Sequence, residues 1–175
     1  MTNVPYVAFL RGINVGGRTI KMAELKICME KLGFSNVSTL LQSGNILFES
    51  SETQVDLKSI IERALQTRFG FSVKVQVYTK DALKTVVTKF PFETKDQYHN
   101  YAIFFENDLE TDFSNNVLEI KSDVDKVQKG SGVIYWQVPI GMTLKSPVSK
   151  LLTKTKYKEF NTNRNLNTLI KMLQT

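Results

Sequence analysis

The order in which helix and strand periodicities alternate over the first eighty residues is the tightest constraint on the fold. Tyr6 to Leu10 is an unbroken apolar run, as a buried strand requires. From Lys21, residues Leu25, Cys28, Met29 and Leu32 recur at helical spacing, and Gly33 stands at the C′ position that ends a helix. Two short strand patterns, 37–41 and 46–48, then flank the tight-turn signal Ser43-Gly44-Asn45. The first helix therefore leads into a strand that turns straight back as a hairpin, and not into a further strand–crossover-helix repeat. A second helix starts at Thr53 with Asp56 in capping-box position, and Leu57, Ile61, Ala64 and Leu65 form its buried stripe. Gly70 closes it, and Val73, Val75 and Val77 alternate with Lys74, Gln76 and Tyr78 in a strand with one buried face. The order β-α-β-β-α-β is that of the ferredoxin-like, split βαβ unit.

The second half restarts the pattern less regularly. A helical segment at 81–88 and the Phe90-Pro91-Phe92 break lead to the polar stretch 94–97, which sets the boundary between halves 1–94 and 95–175. A strand at 101–105 and a short helix at 112–118 come next. A hairpin of 124–127 with 133–138 then turns across Lys129-Gly130-Ser131-Gly132. Ser146 and Pro147 occupy the N-cap and N1 of another helix, and Leu166, Leu169, Ile170 and Leu173 mark the last one. The pieces Gly33-Phe34 and Gly70-Phe71 repeat one device, a left-handed glycine followed by an aromatic packing back on its helix. The expected fold is α+β, with mixed or antiparallel sheets: two fused ferredoxin-like halves and a C-terminal helix, packed as one compact unit.

Charge narrows the partners. Lys and Arg number 23 against 17 Asp and Glu, a net +6, which favours anionic partners but is modest for a dedicated nucleic-acid binder. From Met142 to Thr175 there are seven Lys or Arg and one acid, Glu159, whereas Tyr98 to Gly141 holds three lysines and seven acids. One cysteine, Cys28, allows no internal disulfide and no cysteine zinc site. No apolar run has membrane-spanning length and the start lacks a signal-peptide pattern, so a cytoplasmic protein with no membrane partner is expected.

Arg11-Gly12-Ile13-Asn14-Val15-Gly16-Gly17-Arg18 sits between the first strand and helix, where backbone N–H groups can gather round an anion. Split βαβ topology puts this loop and Gln42-Ser43-Gly44-Asn45 at the same end of the sheet. The candidate ligand-binding set is therefore Arg11, Gly12, Asn14, Gly16, Gly17, Arg18, Gln42, Ser43, Gly44 and Asn45. Its guanidinium, amide, hydroxyl and backbone donors suit a small phosphorylated or otherwise anionic ligand. The competing reading gives the glycines to turn geometry and the polar groups to the loop backbone. Gly12 to Thr19 also reads G-x-x-x-x-G-R-T, one residue from a P-loop, but arginine is no substitute for that lysine and the hairpin excludes the parallel sheet.

In Asn161 to Thr168, Thr162 is read as N-cap of the final helix. Arg164 then falls in the first turn, opposed to the dipole by roughly 0.3–1 kcal/mol, a cost that an anionic ligand or a nearby acid offsets. Thr162, Arg164 and Asn165 join the candidate set on that basis. Cys28 reads as core, His99 as a surface residue at a strand start, and Phe104, Tyr135 and Trp136 as core or interface aromatics. No general base has a convincing partner, so catalysis stays open, and no metal or cofactor is called for. A sequence-tolerant RNA-binding module is an alternative. The third strand, however, lacks the aromatic pattern that stacks bases, which leaves only salt-dependent backbone binding. A protein-interaction module is the third class, and an exposed apolar patch would mark it.

The runs YVAFLRGINVGG, KMAELK, KLGFSNVSTLLQSGNILFES and TNRNLNTLIKML, spread over essentially the whole chain, resemble the domain of unknown function 1697 family. The resemblance implies mostly bacterial, cytoplasmic, uncharacterised proteins of duplicated ferredoxin-like architecture, with no established activity or substrate. The family's signature positions fall on Arg11, Gly12, Asn14, Gly16 and Gly17; on Gln42, Ser43, Gly44 and Asn45; and on Thr162, Arg164, Asn165, Asn167 and Thr168. The family usually has tryptophan after Arg-Asn where this chain has Leu166, which is either a lost stacking platform or a tolerable core replacement.

Overall fold

A computed structural model describes residues 2–175. The chain divides into two compact units, one ending at Leu83 and the other spanning Lys84–Thr175.

In the first unit, β1 (Val4–Arg11), α1 (Met22–Lys31), β2 (Ser35–Leu40), β3 (Asn45–Ser50), α2 (Gln54–Phe69) and β4 (Lys74–Thr79) follow in order, and α3 (Lys80–Thr88) begins. The sheet order β2-β3-β1-β4, antiparallel throughout, is ferredoxin-like. Tyr6, Ala8 and Leu10 alternate onto one face and share a core with Leu25 and Met29 of α1 and Leu57, Ile61 and Leu65 of α2. Each such side chain contributes about 1.5–3 kcal/mol by leaving water. Both helices stop at left-handed glycines, Gly33 (φ 85°) and Gly70 (φ 79°). Phe34 is buried in the same core as Leu25, Cys28 and Met29 of α1, and it also stacks on Phe48 of β3 at 4.8 Å. Thr53 caps α2 as expected, its Oγ1 accepting from the Asp56 amide at 3.3 Å. The other face of β1 is also closed, with Val7 and Phe9 fully buried.

The second unit repeats the plan: β5 (Tyr98–Phe105), α4 (Leu109–Ile120), β6 (Lys126–Lys129), β7 (Val133–Pro139), α5 (Pro147–Leu152), α6 (Thr155–Lys158), β8 (Asn161–Asn165) and α7 (Leu166–Gln174). Its order β6-β7-β5-β8 is the same antiparallel arrangement. The second half is thus a complete β-α-β-β-α-β unit with two added helices, the short α6 before β8 and the C-terminal α7. The strand expected at 124–127 starts two residues later. The Ser122 hydroxyl accepts from the amides of Val124 and Asp125 and holds them in a turn. Asp125 then faces inward, its Oδ1 accepting from Trp136 Nε1 at 2.7 Å and its Oδ2 from the Val148 amide of α5 at 3.3 Å. The segment before β5 belongs with this unit: Tyr135 donates its hydroxyl to Val86 O and Gln137 its amide to Glu93 O.

A side-chain cluster joins α4 to α6. Lys156 Nζ lies 2.7 Å from Asp112 Oδ1, while the Tyr157 hydroxyl donates to Asp112 Oδ2 and accepts from Asn116 Nδ2. Lys156 and then Tyr157 hold the Asp112 carboxyl below its ordinary range. Burial, reinforced by the Asp112 carboxylate, pushes the Tyr157 hydroxyl up to about 12. A raised folded-state value favours the protonated phenol. This stabilisation is full below the unfolded tyrosine's pKa of about 10 and is lost as pH rises through about 12. Urea stability is expected to fall over that window in the wild type and less steeply in Tyr157→Phe. Identical slopes would remove this account of the cluster.

Candidate functional site

β1 ends at Arg11, and Gly12 (φ 74°) turns the chain so that Ile13 plugs the end of the core. The Asn14 amide donates to Arg18 O at 2.6 Å and the Arg18 amide to Val15 O at 3.1 Å. Between those bonds Gly16 and Gly17 both have positive φ (56° and 80°), as a type I′ turn demands. The glycine pair is therefore the tip of a miniature hairpin. It is not a phosphate-cradling helix start, since α1 begins five residues later at Met22.

The loop and the β2–β3 turn meet, as topology requires. Leu10 donates its amide to Gly44 O at 2.8 Å, and Asn14 Nδ2 donates to Gln42 O at 2.6 Å while its Oδ1 accepts from the Ile20 amide at 3.0 Å. Asn45 is fully buried, its Nδ2 donating to Leu40 O and Ser43 Oγ. These bonds sort the candidates. Gly12, Asn14, Gly44 and Asn45 build the scaffold, and Asn14 and Asn45 spend their amides on it. Arg18, Gln42, Ser43 and the glycine tip are exposed, and Arg11 is half-buried. The Arg18 guanidinium lies 5.9 Å over the Phe71 ring, a cation–π contact that fixes its position.

One residue of this end escaped sequence reasoning. Lys74, first in β4, stands directly across from Arg11. In this topology β4 runs antiparallel beside β1, so its first residue must meet the last of β1. That signal was present in the order of elements.

The C-terminal motif is placed differently from expectation. Residues Asn161–Asn165 form β8, paired with β5 in the register Phe104↔Thr162 and Ala102↔Arg164. Asn165, not Thr162, caps α7, its side chain accepting from the Asn167 amide at 2.9 Å. Arg164 is on a strand, so its expected conflict with the helix dipole falls away. Its Nη1 donates to Asn163 O at 3.1 Å. Thr162 is 3% exposed and its hydroxyl has no hydrogen-bond partner among the described residues. Leu166 is buried at the start of α7, which makes it a core residue at the position where the family usually has tryptophan. Arg164 belongs to the second unit and the Arg11 loop to the first.

Cys28 is buried, and burial raises its thiol pKa against the smaller pull of Arg68 and Lys31, which disfavours the nucleophilic thiolate. Among the described residues no three His, Cys, Asp or Glu side chains gather as a metal-ligand set, and no helix is long and apolar enough to cross a membrane. A groove of about 680 Å³ lies between α1 and α2 and is lined by no residue of the Arg11 loop.

Two antiparallel β-α-β-β-α-β units in one chain, the first carrying a basic hairpin loop after its first strand, define a duplicated ferredoxin-like α+β protein. Residues 3–135 match the family described as protein of unknown function (DUF1697), and the chain belongs to that family. The match ends at Tyr135, before the C-terminal motif. The structure of the conserved bacterial protein SP0830 from Streptococcus pneumoniae shares the fold, at TM-score 0.81 and 24% identity, over 99% of this chain and 98% of that one. An unknown protein from Galdieria sulphuraria aligns over 94% of this chain and 98% of its own, at 9% identity and TM-score 0.29, too low to argue from. No curated protein matches.

Proposed function

We propose that the end of the first unit where the Arg11–Gly17 loop meets the Ser43–Asn45 turn binds a small phosphorylated or otherwise anionic ligand. The observation that carries this reading is a gathering of cations beside exposed donors. Arg11 and Lys74 stand directly opposite each other across β1 and β4, so two cationic residues share this end of the sheet. Arg18 is on the adjacent hairpin, and the exposed backbone amides of Gly16 and Gly17 make no hydrogen bond among the described residues. An anion here meets guanidinium, ammonium and backbone N–H donors together, the combination that phosphate and carboxylate favour. Ser43 and Gln42 add polar groups on the neighbouring turn. Phe9, Phe104 and Tyr135 on the central strands are buried, so none of the three offers a face for base stacking.

Titration of isotope-labelled protein with inorganic phosphate, pyrophosphate and AMP, followed by amide NMR, tests the reading. Shifts are expected at Gly16, Gly17 and Ser43, with affinity falling about tenfold or more, 1.4 kcal/mol, in Arg18→Gln/Lys74→Gln. Shifts confined to the lysines beyond Met142, or an unchanged affinity in the double variant, would refute it.

A further inference from the structure

We propose that the outer groove between α1 and α2 is a docking surface for an acidic amphipathic helix of a partner protein. Each helix carries a second stripe at i, i+3, i+4, i+7 spacing that shares one residue with its core stripe: Glu24, Ile27, Cys28 and Lys31 on α1, with Cys28 shared, and Ile60, Arg63, Ala64 and Thr67 on α2, with Ala64 shared. The two stripes line the groove of about 680 Å³, and its floor is apolar. Ile27 remains 50% exposed there, although a polar residue would cost the first unit's core nothing.

Shape selects a helix. The stripes run for about two helical turns, roughly 11 Å at 1.5 Å per residue, and the groove is open along its outer side. A third helix laid into such a trough meets both stripes with its own i, i+3, i+4, i+7 residues. A small amphiphile in the same trough would leave much of its surface in water, unlike ligands of enclosed sites.

Charge selects the partner's sign. The rim holds Lys31, Arg63 and Arg68 against Glu24 alone, a balance of three cations and one acid. Glu24 is occupied by Arg68, at 3.7 Å. Among the described residues, Lys31 and Arg63 have no carboxylate partner. A second copy using this face would set the same cations against each other, since a two-fold contact pairs a patch with itself. An acid-flanked helix satisfies both Lys31 and Arg63 while it covers Ile27.

Selection of displayed helical peptides, randomised at the flanking positions, on the full-length protein tests this, followed by fluorescence anisotropy of the winners. Enrichment of Glu- and Asp-flanked amphipathic sequences is expected. Ile27→Ser should weaken binding about tenfold or more, and Lys31→Glu/Arg63→Glu should shift preference to the Lys-flanked version of the same peptide. All three side chains are exposed, so thermal melts of the variants should match the wild type. No enrichment, or a charge preference untouched by the reversal, would overturn the proposal. So would sedimentation showing a dimer that Ile27→Ser dissolves, because the groove would then belong to a second copy.

Discussion

Gly44→Ala is expected to destabilise the first unit by about 2–5 kcal/mol. Gly44 has φ 77°, and an added Cβ would lie 2.7 Å from Leu10 Cβ and 2.8 Å from Ile13 Cδ1. Neither neighbour can retreat, because Leu10 and Ile13 are buried and the Leu10 amide is bonded to Gly44 O. A non-glycine residue in the left-handed region costs roughly 1–2 kcal/mol, and overpacking adds typically 1–3. Gly17→Ala is the control: its φ is 80°, but an added Cβ meets nothing within 4 Å. Only the conformational part, about 1–2 kcal/mol, should appear there. Urea denaturation followed by circular dichroism separates the two. Equal losses at both positions would show that the close approach at Gly44 carries no energy.

Asp125→Ala should cost about 3–5 kcal/mol in the second unit. Its carboxylate accepts from the Trp136 indole, from the Ser122 hydroxyl and from the Val148 amide in the first turn of α5. Hydrogen bonds to a charged group contribute about 1.5–3 kcal/mol each, and a buried donor left alone costs about 1–3. Trp136 is nearly fully buried, so its N–H has no water to turn to. Asp125→Asn keeps an acceptor for the indole and should lose less than half as much. Trp136 is the one tryptophan of the chain, so its fluorescence reports the change directly. An alanine variant no weaker than the asparagine variant would mean that the carboxylate contributes nothing beyond shape.

Helices ended by glycine, strands with apolar alternation and the Ser43-Gly44-Asn45 turn were legible because each is a local pattern with its own period. The meeting of the Arg11 loop with that turn was legible one step removed, from the order of elements. β8 was not. Asn161 to Asn165 has no apolar alternation, and its extended form comes from pairing with β5, a partner over fifty residues away in sequence. Asp125 hid for a related reason: its three donors come from separate elements. Within the candidate site, the residues were named but their division was not. Whether Asn14 and Asn45 offer their amides to a ligand or spend them on the backbone depends on bonds to Gln42, Ile20 and Leu40, which spacing does not encode.

The two units share a strand order but not a first crossover. After β1 the chain takes residues 12–21 to reach α1, whereas after β5 it takes only residues 106–108 to reach α4. The short connection has no room for a second glycine-tipped hairpin. Duplication of the fold has therefore left the loop in a single copy, and an anion bound there should saturate at one per chain. A titration that closes at two would locate at least half of the binding elsewhere.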